Sequence, residues 1–474
     1  MNIPGPGNDV RRQFSDRIVG PDSRPYTLTH HTVAAMAQDL SVRGWPEGHL
    51  IGSVSELRQR FGVGRKACQE AIAILQTRRL IHVRRGAGGG LYVCRPGLHD
   101  TAEALILHLL LSRTSPRALH DARLILCQLT IRAIIGRGRT HPSRSASAIP
   151  CNLPGSEFRR RLSQVSGNAP IAFLTDILEE VQQRCNAANV KVGANQPQVH
   201  AGPLEDALLA AIRSGNVERA DVLMREHVQT FDGPAANAPT DMANLVPSIA
   251  FFNSKRSCAR LAGLIVGEIL ARPSGASIKL GAEWDVGARH GYTSDIVRPA
   301  LRMLEDLGIV ACCRGRAGGV ISTPPSIATV VRLVSSGIAS CGISPVQNFE
   351  LASQLMVEGA RLAAQRNEGA APTSTGDVPP GRLDTLMDLI DVENGLLELI
   401  DNPILSIFVR SLALQSFSSN GAGHPPSLSA KVGSAIRACS LQVSRAIRHG
   451  EATVAVDAAK RKSELMRPEV GGGS

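Results

Sequence analysis

Aromatic residues are scarce in this chain, where Phe, Trp and Tyr make up 3% of 474 residues. Leu, Ile, Val and Ala must therefore form the core, and they favour packing of helix on helix over a β-sandwich. The ten cysteines form no C-x-x-C pair, so we expect reduced, mostly buried thiols of a cytoplasmic protein. No apolar run approaches the roughly 18 residues that span a bilayer, and the first residues lack the apolar stretch of a secretory signal.

Motifs of catalysis are also missing. The sequence contains no Gly-x-Ser-x-Gly elbow and no His-Glu-x-x-His pair, and it shows no paired Glu-x-x-His motifs. We therefore expect no enzyme and no cofactor.

Acidic residues are outnumbered, since the chain has 52 Lys and Arg but only 41 Asp and Glu, which gives a net charge of +11. This charge suits a polyanionic partner, although a soluble basic protein without such a partner would look the same.

The sequence does contain an internal repeat of one pattern. Residues 51–93 align without a gap on residues 280–322, and nine of the 43 positions are identical. The identities fall at glycines of expected turns and at apolar positions with helical spacing. A period of this length indicates a duplicated domain pair, because solenoid repeats run from roughly 20 to 50 residues.

The first copy predicts a winged helix. An amphipathic helix over 28–43 precedes two short helices, Val54–Phe61 and Arg65–Thr77, which a glycine-containing break of three residues separates. Strands over 80–83 and 91–93 flank a glycine-rich loop. Backbone N–H groups of such a loop could bind phosphate, but a dinucleotide motif must lead into a helix. This loop leads into a strand, which favours a wing.

The predicted fold class is mainly α, with two winged helix-turn-helix copies, each followed by an all-α helical bundle. The expected boundaries are a flexible arm over 1–26, a winged helix over 27–97, a helical domain over 98–232, a linker over 233–250, a diverged winged helix over 251–324, a second helical domain over 325–467 and a tail over 468–474.

The helix-turn-helix of the first copy resembles that of GntR-type transcription regulators. The resemblance lies in the run from Ser55 to Ile72, SELRQRFGVGRKACQEAI, and in the wing from Val83 to Gly90. The helical regions resemble the FCD-like ligand-sensing domain of the FadR-type branch. The segments that carry this second likeness are 121–124, 158–168, 211–227, 402–403 and 446–450. The resemblance implies two regulators in tandem, hence a pseudo-dimer within one chain.

DNA contacts are expected where donors meet the start of the recognition helix, because that end reaches base edges. Arg pairs with guanine and Gln with adenine, while cations on the preceding helix and the wing suit phosphates. In the first copy these residues are Arg58, Arg60, Arg65, Lys66, Gln69, Arg84, Arg85 and Gly86. In the second copy they are Arg289, Ser294, Arg298, Arg314 and Arg316. Asp295 would repel phosphate there. The second copy therefore either binds DNA weakly or has only a structural role beside the first copy.

The resemblance also implies a sensing site, which in the family often holds a metal through an Asp and three His. At the matching positions the first half has Arg159, Glu205 and His227, and the second half has Glu393, Ser440 and Lys462. We therefore expect no metal. Arg123 and Arg159, with Glu205 and His227, could instead bind a small organic-acid effector. Alternatively, the two arginines pair with Glu157, Glu205 or Asp206. Position 352, which matches Arg123, is Ala, so an equivalent site in the second half is not expected.

These observations lead to a sequence-specific regulator that binds a double-stranded DNA operator as a fused pseudo-dimer, responds to a ligand through its helical domains and is free to self-associate further. The alternative is a protein–protein regulatory module that needs a related partner to bind DNA. We expect no membrane association.

Overall fold

The computed structural model describes residues 16–19, 32–33, 35–36, 39–40, 47–77, 80–84, 86, 89–94, 97–140, 153–190, 202–232, 249, 252, 257–272, 278–313, 318–323, 326–339, 341–369, 383–418 and 428–471. This part of the chain is mainly helical, with two small antiparallel sheets. None of its helices is both long and apolar enough to cross a membrane. The linker expected over 233–250 falls outside these residues except for Ile249.

Unit 1 is a strand, two helices and a β-hairpin: β1 Leu50–Gly52, α1 Val54–Phe61, α2 Arg65–Thr77, β2 Ile81–Arg84 and β3 Gly90–Val93. Its sheet has the order β1-β3-β2, with Ile81 opposite Val93 and Arg84 opposite Gly90. Of the helix expected over 28–43, six residues are described and all are helical. Val33, Met36 and Leu40 of that helix are buried in the same cluster as Leu57 and Leu75.

Unit 2 repeats this element order: α9 Ser257–Leu270 precedes β4 Lys279–Gly281, α10 Glu283–His290, α11 Ser294–Asp306, β5 Val310–Cys313 and β6 Gly319–Ser322, and the sheet has the order β4-β6-β5. The glycines shared by the two copies have a structural reason. Gly52 and Gly281 have φ angles of +135° and +96°, and a Cβ there would lie 2.6 Å from Glu56 Oε2 and 2.8 Å from Asp285 Oδ2. Only glycine both adopts these positive φ angles without strain and leaves room for the nearby carboxylate oxygen.

Helical bundles follow each unit. The first contains α3 Leu98–Leu111, α4 Pro116–Thr140, α5 Gly155–Val165, α6 Ala169–Val190, α7 Gly202–Arg213 and α8 Val217–Asp232. The second contains α12 Ala328–Ala339, α13 Pro345–Asn367, α14 Leu386–Ile400, α15 Pro403–Ser418, α16 Ala430–His449 and α17 Ala452–Gly471. Aliphatic side chains make up nearly all of their cores.

The two halves share one core. A single buried cluster joins Leu105 and Leu109 of α3 to Val331 and Val334 of α12, and these two helices pack on each other. Leu333, also on α12, belongs to the core of unit 1. Unit 1 therefore rests on a helix that follows unit 2 in the sequence.

The sequence predicted a two-stranded wing, but each sheet has three strands. The additional strands β1 and β4 are three residues long and pair with β3 and β6. The segment expected to be a mobile arm is described at residues 16–19, which are helical, and Ile18 and Val19 are buried against the second half.

Candidate nucleic-acid interface and helical-domain sites

The turn between α1 and α2 brings the start of α2 to the surface of unit 1. Gly62 ends α1 in the left-handed conformation (φ +63°), and Val63 N–H donates to Arg58 O at 3.1 Å. Helix α2 then begins at Arg65, and its Cys68, Ala71 and Leu75 are buried. Arg65, Lys66 and Gln69 are exposed. The first turn of α2 thus carries two cations and an amide into solvent, while its other face packs in the core.

Four cations of unit 1 form no ion pair with any carboxylate in the part of the chain that the structure describes. These are Arg58, Arg65, Lys66 and Arg84, and all four are exposed. Gly86 is also exposed and has a φ of +103°, as the hairpin turn requires, and its carbonyl accepts from Gly89 N–H at 2.8 Å. The expected contact residue Arg85 lies outside the described residues. The four cations therefore form a positive surface that no carboxylate among the described residues neutralises.

Arg60 differs from its neighbours because it is used inside the protein. Its guanidinium forms an ion pair with Asp39 and lies 5.5 Å from the centre of the Phe61 ring. Arg289 occupies the matching position in unit 2 and pairs with Glu268 at 3.4 Å, and Glu268 matches Asp39 at the same offset of 229. Both pairs therefore tie the helix that precedes the unit to the first helix of the pair.

Unit 2 presents less free positive charge. Arg298 pairs with Glu283 at 2.7 Å, and Arg289 also donates to Leu280 O at 2.7 Å. Ser294 and Asp295 at the start of α11 are exposed, so the first turn of this helix shows a hydroxyl and a carboxylate. Arg314 and Arg316 lie outside the described residues.

Helices α2 and α11 touch each other. Arg302 of α11 forms an ion pair with Glu70 of α2 at 3.1 Å, and the backbones of the two helices approach closely. The sequence had no signal for this contact, because position 302 matches an alanine of the first copy and position 70 matches Pro299.

In the first helical bundle, Arg123 and Arg159 meet around one carboxylate. Arg159 donates Nε to Glu179 Oε1 at 2.7 Å and Nη2 to Glu179 Oε2 at 2.8 Å, while Arg123 donates to the same carboxylate at 3.3 Å. All three side chains are at most 3% exposed. The sequence offered Glu157, Glu205 and Asp206 as internal partners, but the carboxylate bound by both arginines is that of Glu179.

His227 and Glu205 lie beside this cluster. His227 Nε2 is 3.4 Å from Glu205 Oε1, and the imidazole packs between Phe158 and Phe231, with ring centres 5.0 and 4.7 Å away. Burial lowers the pKa of His227, although the bond to Glu205 opposes this shift. The two arginines thus bind an internal carboxylate, and His227, which is paired with Glu205, lies near Arg159 and Glu179.

Metal binding has no support in the described residues, where no group of three His, Cys, Asp or Glu side chains could hold an ion. In the second half, the residues at the positions of the family's metal ligands contact other protein groups. Lys462 Nζ contacts Glu393 Oε1 at 2.6 Å, and Ser440 Oγ donates to Ile436 O at 2.9 Å. An ammonium and a carboxylate thus neutralise each other where a metal ligand would be needed.

Comparison with known proteins adds little to this geometry. No family model matches the chain, and no curated protein matches it. Among solved structures, the chain is similar to Streptococcus agalactiae GntR, with 19% identity over 43% of this chain and 98% of that chain and a TM-score of 0.23.

Proposed function

We propose that the protein is a sequence-specific DNA-binding transcription regulator whose main DNA contacts come from unit 1. The observation that carries this proposal is a group of exposed cations that pair with no carboxylate of the described residues: Arg58 on α1, Arg65 and Lys66 at the start of α2, and Arg84 on β2. Such a group attracts a polyanion, and DNA phosphates release bound counter-ions when cations replace them.

Sequence reading would come from the first turn of α2. Arg65 can donate two hydrogen bonds to guanine, and Gln69, one turn later, suits the donor and acceptor of adenine. Arg84, next to the hairpin turn, suits phosphate or the neighbouring minor groove. In this arrangement unit 1 is a winged helix-turn-helix.

Unit 2 would form the second half of a pseudo-dimer within the chain. Its element order and sheet order match those of unit 1, which supports a tandem duplication. Its contribution to DNA binding would be smaller, because Arg289 and Arg298 are engaged by Glu268 and Glu283. The operator would then be asymmetric, with one dominant half-site, since no two-fold axis relates two different units.

The test is selection of bound sequences from random double-stranded DNA by the purified protein. We expect one enriched motif with unequal halves. Arg65→Ala should weaken binding by roughly 1–3 kcal/mol and relax the motif at one position. Arg84→Ala should weaken binding to all sequences and reduce the slope of log affinity against log salt by about one.

Arg445→Ala, at an exposed site on α16, is the matched control and should leave binding unchanged. If wild-type protein enriched no sequence at low salt, the regulator proposal would fail. A regulatory module that binds DNA only together with a related protein would then be the better explanation.

A further inference from the structure

The turn that joins α3 to α4 has an unusual backbone at Arg113. Its φ angle of +48° lies in the left-handed region, which strains a residue with a Cβ atom but not glycine. The second half makes the same turn 229 residues later with Gly342, at a φ of +67°. Arg113 N–H donates to Leu110 O at 3.1 Å. At the matching place, Gly342 N–H donates to Ala339 O at 3.3 Å. The turn therefore favours glycine, yet the first half has an arginine there.

The side chain of Arg113 binds the end of a helix in unit 2. Its Nη2 donates to Leu270 O at 3.1 Å and also to Arg272 O. Leu270 is the last residue of α9, and the last carbonyls of a helix lack donors within that helix. A cation at this end is also favoured by the helix dipole. The guanidinium therefore connects the first bundle to unit 2, and Gly342 has no side chain to make such a connection to unit 1.

The end of α9 is in turn connected to the helix pair of unit 2. Glu268, in the last turn of α9, pairs with Arg272 at 2.8 Å and with Arg289 at 3.4 Å. The same carboxylate lies 3.2 Å from His290 Nε2. Arg289 and His290 are the last two residues of α10 and directly precede the turn into α11. Polar contacts therefore run from Arg113 through the end of α9 to the helix pair.

Apolar contact alone defines the orientation of unit 2 poorly. Buried side chains of α9, among them Leu261 and Ile265, belong to the same cluster as the cores of the bundles, but hydrophobic attraction has no direction. The ion pair between Arg302 and Glu70 is exposed and joins unit 2 to unit 1 rather than to a bundle. Hydrogen bonds have a preferred geometry, so the two bonds from Arg113 restrict how unit 2 lies against the first bundle.

We propose that Arg113 is a positioning residue, which fixes unit 2 against the first bundle and thereby sets the spacing between the two halves of the operator. The first part is independent of DNA, and the second part rests on the proposed function. Half-site spacing follows from the separation of the two DNA-reading units, so a unit that is free to turn tolerates several spacings. The strained backbone agrees with this role, because such strain persists where the surrounding structure requires it.

The first test measures the position of unit 2 in the full chain without DNA. Nitroxide labels on a keto amino acid replace the exposed residues Trp284 on α10 and Glu226 on α8, and pulsed electron paramagnetic resonance gives the distance between them. We expect one narrow distance distribution in the labelled parent and a broader one in Arg113→Gly and Arg113→Ala. Arg113→Lys keeps a cation at the end of α9 and should lie between them. Arg117→Ala, at an exposed site in the first turn of α4, is the control and should match the parent.

Comparison of the glycine and alanine variants separates positioning from stability. Both lack the guanidinium, but only glycine relieves the strain at this φ angle. Arg113→Gly should therefore resist urea better than Arg113→Ala, while both broaden the distance distribution to the same extent. If the broadening followed the loss of stability instead, the positioning role would be wrong.

The second test uses the selected operator with one or two base pairs inserted between its unequal halves. Insertion of one base pair should weaken wild-type binding about tenfold, comparable to one mismatched base pair. Arg113→Gly should bind the original and the lengthened operators almost equally. An unchanged distance distribution in both variants would overturn the proposal whatever DNA does, and an unchanged spacing penalty would overturn its second part. If the wild-type protein selected no DNA, the proposed function would fail, and the distance measurement would still decide the role of Arg113.

Discussion

At the scale of single residues, the best-defined polar arrangement in the first bundle is the carboxylate of Glu179 between Arg123 and Arg159. Arg159 contacts it with two bonds of 2.7 and 2.8 Å, and all three side chains are almost fully buried. Removing one partner of such a pair leaves uncompensated charge in the core. Among the residues of this bundle, Glu179 is therefore the one whose replacement should lower the stability of the protein most.

We expect Glu179→Gln to lower the free energy of unfolding by about 3–5 kcal/mol, because two buried guanidiniums would lose the carboxylate that they share. Urea denaturation at neutral pH measures this loss, with Glu226→Gln on the exposed face of α8 as the control. Glu179→Ala also opens space for an external carboxylate, so acetate should restore part of its stability. A loss below about 1 kcal/mol, the size of a surface pair, would contradict the structural role.

The sequence predicted that Arg123 and Arg159 lie together, but not which acid binds them. Glu179 lies in a helix next to Glu180, and both read as ordinary helical glutamates. Glu179 is 1% exposed, while Glu180 is 21% exposed and pairs with Arg184. The choice depends on which face of α6 turns inward at that turn, and two adjacent glutamates do not specify this. The pairing of Arg60 with Asp39, in contrast, has a trace in the sequence, because Arg289 and Glu268 carry the same charges 229 residues later.

At the scale of elements, the two units differ in how their first helix begins. Ser53 caps α1: its Oγ accepts from Glu56 N–H at 3.3 Å, and Glu56 Oε2 accepts from Ser53 N–H at 2.9 Å. In unit 2 the corresponding residue is Ala282, which has no side-chain acceptor. Only the return bond remains, from Ala282 N–H to Asp285 Oδ2 at 2.8 Å. One amide of the first turn of α10 thus lacks the partner that α1 has.

We expect Ala282→Ser to complete the capping box of α10 and to stabilise unit 2 by about 1 kcal/mol. Ser53→Ala should destabilise unit 1 by a similar amount. Amide hydrogen exchange measures both effects locally, and the exchange of the Asp285 amide should slow in Ala282→Ser. Unchanged exchange at Asp285 would mean that the serine hydroxyl does not cap the helix.

Most helices were predictable because their apolar residues recur with helical spacing between glycines and prolines. Two were predicted with the observed bounds, Val54–Phe61 and Arg65–Thr77. Strands β1 and β4 were missed for the opposite reason. They are three residues long, and Leu50 and Lys279 are exposed, so no alternation marks them. Their pairing with β3 and β6 is backbone hydrogen bonding, which leaves no trace in residue type.

At the scale of the whole molecule, the two halves are joined by polar contacts as well as by the shared core. Arg132 pairs with Glu358, Arg366 with Asp121 at 3.1 Å, and Asn402 donates to Ala118 O at 3.0 Å. These contacts link α4 to α13 and to the start of α15. Together with the pair between Glu70 and Arg302, they fix how α2 and α11 lie relative to one another.

If unit 1 binds DNA as proposed above, the pair between Glu70 and Arg302 should influence specificity. Glu70→Lys adds positive charge, so nonspecific DNA binding should strengthen, yet the variant places two cations where the helices touch. We expect the ratio of specific to nonspecific affinity to fall severalfold in binding assays at fixed salt. Adding Arg302→Glu reverses the pair, keeps the original net charge and should restore the ratio. A ratio that stays low in the double variant would mean that Glu70 acts alone.

Acid should weaken the packing between the halves through His108. This residue lies on α3, is 8% exposed and has a backbone hydrogen bond with Ser326 of the second half. Burial lowers its pKa from 6.5 to about 4, although the bond to Ser326 opposes this. Because the folded-state pKa lies below the unfolded-state value, the protein keeps its full stability above pH 6.5 and loses it as the pH falls from 6.5 toward 4. The expected loss is roughly 3 kcal/mol.

Urea unfolding at several pH values between 7.5 and 4.5 measures this loss. His108→Gln cannot take up the proton, so its stability should fall less steeply with acid than that of the wild type. His49→Gln, at an exposed site of unit 1, should follow the wild-type curve. The lowered pKa of His227 acts in the same direction, so some acid sensitivity should remain in His108→Gln. Identical slopes for His108→Gln and the wild type would show that the imidazole between α3 and α12 does not control the acid response.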